Sequence, residues 1–170
     1  MFYLLPLLLA ACLPTAFADA DPNTAYCTKV IGNVKYTQKG QKNYFIGKSQ
    51  TNWFEAVHTC RQLGGNLAVI ESDVELKFIQ EYLIENRYDA NHQFWISGND
   101  LVKDGTFYSI NDGFPLRFLA WSKNQPDNLG IEKCIHLFMD GAEYKMNNEK
   151  CDNHAFYLCE KRGSECCIEN

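Results

Sequence analysis

Nowhere in this chain do lysines and arginines gather into a block, and the formal net charge is -5 with a pI near 5.3. That argues against a nucleic-acid partner, because no basic footprint exists to displace the counterions of a polyanion. Long apolar runs are scarce as well. Apart from Phe2 to Cys12, itself too short to cross a bilayer, no segment approaches the roughly 20 residues that a membrane-spanning helix needs. Catalytic signatures are missing too. There is no Gly-x-Ser-x-Gly, no His-Glu-x-x-His and no zinc-spaced Cys/His cluster, so the nucleophile, base and oxyanion stabiliser of an enzyme are not in evidence. Internal repeats, low-complexity tracts and Asn-x-Ser/Thr glycosylation acceptors are likewise absent.

What remains has the composition of one ordinary globular domain, with 170 residues, 46% of them hydrophobic and 14% aromatic. The opening run, followed by the small residues Ala16, Ala18 and Ala20, reads as a signal peptide over residues 1–20, cleaved after Ala18 or Ala20. The mature protein is therefore expected to be secreted and extracellular, with no membrane span. Export makes the cysteines readable as a disulfide framework. The signal removes Cys12 from the eight, leaving Cys27, Cys60, Cys134, Cys151, Cys159, Cys166 and Cys167. An odd number means that one thiol is free, capped or joined to another chain.

Helical signals stand in the first half. Residues 21–42 are a polar lead-in or early hairpin, and Asn43 to Gly47 is a short strand. Asn52 is a favoured helix cap with Glu55 three residues on, Trp53, Val57 and Cys60 share one face, and Gly64-Gly65 stops the helix. Leu67 to Ile70 reads as a buried strand. Ser72-Asp73-Val74-Glu75 opens a second helix whose apolar face carries Leu76, Ile79 and Leu83. Beyond Asn91 the signals are strands: Phe94 to Gly98, Phe107 to Ile110, Phe118 to Trp121, Cys134 to Met139 and Phe156 to Glu160, with Asp140-Gly141 as a tight turn. Helices first and strands afterwards predict an α+β fold.

Between Trp121 and Cys134 lies a long polar interval, Ser-Lys-Asn-Gln125-Pro126-Asp127-Asn128, followed by Glu132. Loops of that length in a compact domain are usually functional or disordered, and a cysteine directly behind this one speaks against disorder. Its amide and carboxylate oxygens suit a hard cation such as Ca²⁺, which takes six to eight oxygen ligands at about 2.3–2.6 Å.

Several ordered pieces resemble the C-type lectin-like domain over roughly Asn43 to Lys161. They are Trp53-Phe54-Glu55-Ala56 with Cys60, Leu63-Gly64-Gly65 and Leu67-Ala68; Phe94-Trp95-Ile96-Ser97-Gly98; Gln125-Pro126-Asp127; and Cys134, Cys151 and Cys159. The resemblance implies a fold of two helices plus small antiparallel sheets, with a long calcium- and sugar-binding loop region, over residues 43–162. It also implies disulfides Cys60–Cys159 and Cys134–Cys151. A Cys-containing tail, residues 163–170, would follow. Cys27 is then expected to pair with Cys166 or Cys167, the other bridging two chains in a disulfide-linked dimer; alternatively the adjacent pair serves two chains or bonds to itself.

Carried over position by position, the ligands of Ca²⁺ and sugar would be Gln125, Asp127, Glu132, Asn147 and Asn148. Gln125 before Asp127 is the family's galactose-type order, which implies glycans with terminal galactose-type sugars as partners, as in secreted insect lectins. Pro126 is expected to follow a cis peptide bond. Asn148 stands where the family usually has aspartate, so an Asn148→Asp change is expected to tighten calcium. Leu129 stands where galactose binders often have an aromatic, which leaves Tyr144 as the candidate stacking ring. Asp100 and Asp104, completed by Asp127 and Asn128, resemble an auxiliary calcium site of some relatives. The alternative is a calcium-independent lectin-like domain that binds protein or serves as a disulfide-linked subunit. His58, His136, Trp53, Trp95 and Trp121 are expected to be structural.

Overall fold

The computed structural model describes residues 27–31, 34–39 and 42–163, with side chains from residue 42 onward. The signal segment, the side chain of Cys27 and the tail cysteines lie outside the described residues. The chain opens with a hairpin of β1 (Cys27–Ile31) and β2 (Val34–Lys39). β2 passes the ladder to β3 (Lys42–Ile46), whose other edge pairs antiparallel with the last strand, β9 (Phe156–Arg162).

Two helices pack on this frame. α1 (Trp53–Gln62) begins because Asn52 accepts the Glu55 N–H at 2.9 Å, satisfying an otherwise orphaned amide. It ends in the turn at Gly64, whose φ of +76° is open to glycine at no steric cost. α2 (Asp73–Glu85) begins in the same way, with the Ser72 hydroxyl accepting the Glu75 N–H at 3.2 Å. Leu76, Ile79 and Leu83 are buried, as their spacing predicts.

The remaining strands are β4 (Asn66–Leu67), β5 (Phe94–Asn99), β6 (Tyr108–Ser109), β7 (Glu132–Asp140) and β8 (Glu143–Lys150). They extend the sheet in the order β1-β2-β3-β9-β5-β7-β8, with β4 beside β9 and β6 beside β5. All the pairings are antiparallel except β5 with β9. Three expected strands shrink, Phe107 to Ile110 being reduced to the two residues of β6. Leu67 to Ile70 contributes only Leu67 to the two-residue β4, and Phe118 to Trp121 makes a single bridge from Trp121 to Met146. β8 was not anticipated, because its sequence is mostly polar.

Alternation along β5 and β7 divides the core in two. Phe94, Ile96, Ile135 and Leu137 meet α2, Tyr144 and Met146 on one side. Trp95 and Cys134 meet Trp53, Ala56 and Cys60 of α1 on the other. The disulfides Cys60–Cys159 and Cys134–Cys151 form in that second layer, with Cα separations of 5.6 and 5.2 Å. On the chain-entropy model, loops of these lengths restrict the unfolded state by about 4–5 and about 3 kcal/mol.

One ionic strut joins α2 to the sheet. The Lys42 ammonium lies 2.6 Å from Glu71, 2.9 Å from Glu75 and 3.2 Å from Glu160, and donates to the Val69 carbonyl at 2.7 Å. Tyr44 adds its hydroxyl to Glu75. Gly98 lets β7 approach β5: a Cβ there would sit 2.4 Å from Ile135 Cδ1.

Candidate functional site

The interval from Ser122 to Ile131 leaves the sheet after Trp121, which is braced against Phe107 with ring centroids 4.8 Å apart. Backbone bonds on both sides of Trp121, Met146 N–H to Ala120 and Ser122 N–H to Met146, fix where the loop departs. The Gln125–Pro126 peptide is cis, and Asn124 and Asn128 have positive φ, so the chain folds back on itself in a few residues.

The loop then closes around one amide. The Asp127 N–H is 3.0 Å from Gln125 Oε1 and 3.2 Å from Asn148 Oδ1, which draws both side-chain oxygens to the same place. Asn148 is 0% exposed and donates from Nδ2 to Asn128 Oδ1 at 3.0 Å and to the Glu132 carbonyl at 3.3 Å. A residue of β8 thereby pins both ends of the loop. An aspartate at 148 could not make those two donations, so the amide has a role of its own and is not merely a carboxylate lacking its charge.

Glu132 is half-buried. Burial raises its pKa, and the neighbouring Asp127 carboxylate, within hydrogen-bonding reach, raises it further. Two carboxylates that face each other in this way, with amide oxygens alongside, form a place of negative potential suited to a cation. Asn147 stands beside them in sequence but is oriented differently. It pairs with His136 Nε2 at 2.8 Å, and its Oδ1 is buried without a hydrogen-bond partner. An orphaned carbonyl oxygen of that kind fits a ligand of a hard cation. Among the expected ligands, Gln125, Asp127, Glu132 and Asn148 are drawn together by direct bonds or charge contact, while Asn147 is tied to His136.

The auxiliary group is arranged otherwise. Asp100 is fully buried, its Oδ2 accepting the Gly105 N–H at 2.8 Å, and Asp104 is exposed. The ammonium of Lys133 lies 3.7 Å from Asp100 and 3.0 Å from Asp104. Asn128 turns its oxygen to Asn148 instead. Lys133 escaped the sequence reading because its partners lie about thirty residues away and nothing local marks the pairing.

Of the residues expected to be structural, Trp53 and Trp95 are buried. His136 is buried between β5 and β8, and its pKa is pushed down to about 4 by that burial. His58 is exposed on α1. Tyr144 is 0% exposed in the core and cannot stack on a ligand, because the alternation of β8 turns it inward. The surface beside Asp127 is aliphatic instead, with Leu129 65% and Ile131 66% exposed.

The family model for the Lectin C-type domain matches residues 49–161. The chain belongs to the C-type lectin domain family. Among curated relatives, C-type lectin 37Db of Drosophila melanogaster is 34% identical over 131 residues, covering 76% of this chain and 84% of that protein. The mouse scavenger receptor C-type lectin carbohydrate-recognition domain superposes with a TM-score of 0.67 at 23% identity, covering 76% of this chain and 96% of that one. A calcium-independent type II antifreeze protein superposes with a TM-score of 0.66 at 19% identity, covering 80% and 96%. At these identities the solved structures show the fold alone. Among the described residues, no helix is long and apolar enough to cross a membrane.

Proposed function

We propose that this lectin domain binds carbohydrate through a single Ca²⁺ held by the Gln125–Glu132 loop, and that it takes galactose-type sugars. The observation that carries the reading is the pairing of the Asp127 and Glu132 carboxylates, close enough that Asp127 adds to the effect of burial in raising the Glu132 pKa. They have Gln125 Oε1 and Asn148 Oδ1 at the same amide. Asn147 adds a buried oxygen with no other partner. Gln125, Asp127, Glu132, Asn147 and Asn148 would hold the ion.

A bound Ca²⁺ supplies fixed positive charge and open coordination positions that two neighbouring sugar hydroxyls can fill. The protein's part is orientation. Each carboxylate can accept a hydroxyl proton, and the Gln125 amide can donate from its nitrogen while its oxygen faces the ion. The order of amide at 125 and carboxylate at 127 supports the galactose-type preference. Leu129 and Ile131 offer apolar surface to the less polar face of the sugar ring. Export, as the signal segment implies, would bring the loop to extracellular calcium, where sites are tuned to about 0.1–1 mM.

Glu132→Gln tests the reading. Wild-type protein is expected to gain thermal stability on adding calcium and to gain more with galactose present, while the variant gains neither. A calcium-independent, protein-binding domain is the second reading. It is favoured by the Asn148 amide, which closes the loop with its own hydrogen bonds, and it predicts no calcium shift in either protein.

A further inference from the structure

We propose that Lys133 supplies, on a tether, the positive charge that the Asn99–Gly105 turn requires. Asp100 and Asp104 then hold this ammonium in place of a second, exchangeable divalent cation. The residues point there together. Asp100 is a buried carboxylate with one oxygen on the Gly105 N–H at 2.8 Å and the other without a hydrogen-bond partner. A buried carboxylate of that kind is costly without a counter-ion, and the cation on hand is Lys133 Nζ, 3.7 Å from Oδ2, the oxygen that also accepts from Gly105. Asp104 completes the clamp at 3.0 Å.

Lys133 grips the turn by its backbone as well, its carbonyl accepting the Asp100 N–H at 3.0 Å. It stands where β7 loses register with β8, between Glu132 and Cys134. Such a bulge redirects the side chain of the inserted residue. Glu132 is thus followed directly by a residue anchored at both ends to the turn, and next by a cysteine stapled to Cys151. The same device recurs at Lys42, whose ammonium fills a ring made by the Val69 carbonyl, Glu71, Glu75 and Glu160. A tethered ammonium is present at every calcium concentration. The turn therefore stays ordered when calcium is absent, and Lys133 is a positioning residue for Glu132. A divalent ion seated between Asp100 and Asp104 would have to expel that ammonium.

The inference rests on the loop reading only for its calcium count. The test combines calcium titration calorimetry with amide hydrogen exchange at Gly105, in EDTA and in calcium, for wild type, Lys133→Gln and Lys133→Arg. Wild type should bind one equivalent of calcium, with Gly105 protected equally in both buffers. Lys133→Gln should lose at least about tenfold of that protection in EDTA, as expected when a bonded acceptor loses its counter-ion, and Lys133→Arg should keep most of it. Two equivalents in wild type would overturn the proposal. So would Gly105 protection that needs calcium, or protection in EDTA that Lys133→Gln leaves unchanged. A wild type that binds no calcium, with Gly105 still dependent on Lys133, would refute the loop reading and uphold this one.

Discussion

Replacing Asn148 with aspartate separates what the loop needs for folding from what it needs for a cation. Asn148 is buried and donates two hydrogen bonds, to Asn128 Oδ1 at 3.0 Å and to the Glu132 carbonyl at 3.3 Å. Each is worth about 0.5–1.5 kcal/mol, and a carboxylate oxygen in place of the buried Nδ2 would face both acceptors with a lone pair instead of a donor. Aspartate would retain the bond from the Asp127 N–H but would add a third carboxylate beside Asp127 and Glu132, whose pairing already raises the Glu132 pKa. In calcium-free buffer the variant should therefore lose about 3 kcal/mol, which for a domain of this size is on the order of 10 °C in Tm. Calcium should return most of that loss, because the added carboxylate gains the partner it lacks. Differential scanning calorimetry of both proteins, in EDTA and in millimolar calcium, reads the four values. An equal deficit in both buffers would refute a cation site at position 148, and no deficit in EDTA would refute the hydrogen-bonded role of the amide.

Three further outcomes follow from the same geometry. His136 is buried, with its pKa pushed down to about 4. The unfolded chain takes up a proton near pH 6.5 that the folded one refuses, so stability is complete above that pH and falls by about 3 kcal/mol on acidification toward pH 4; denaturant titrations of His136→Gln should show a shallower slope over that window. Lys42→Met strands Glu71, Glu75 and Glu160 around an apolar side chain; urea unfolding should register a loss of about 3–5 kcal/mol, partly recovered by adding Glu160→Gln. Gly98→Ala would press a methyl group to 2.4 Å from Ile135 Cδ1 and should destabilise by about 1–3 kcal/mol, with an altered Ile135 methyl signal by NMR.

Much of the frame is legible because its signals are local. Asn52 and Ser72 accept the amides that capping chemistry assigns them, Gly64 adopts positive φ where α1 stops, and Leu76, Ile79 and Leu83 face inward. β8 was not legible. Its inward residues are Tyr144, Met146 and Asn148, and a buried asparagine breaks the apolar alternation by which a half-buried strand is recognised. Phe118 to Trp121 misled in the opposite sense: an aromatic run reads as a strand, but Trp121 alone bridges to Met146. Tyr144 lies close to the loop in sequence, which suggests a stacking ring, but the period of the strand puts it in the core. At the site, the oxygen-bearing side chains could be named in advance because they sit in one stretch and on one strand. The Asn148 donations and the Lys133 clamp could not, since each depends on residues brought together from separate elements by the register of β7 against β8 and β5.

The most direct test is retention on immobilised galactose. Binding of the wild-type protein in millimolar calcium, release by EDTA and failure of Glu132→Gln to bind are the predicted results. Free passage in both buffers, or retention that EDTA does not reverse, would contradict calcium-dependent galactose binding by the Gln125–Glu132 loop.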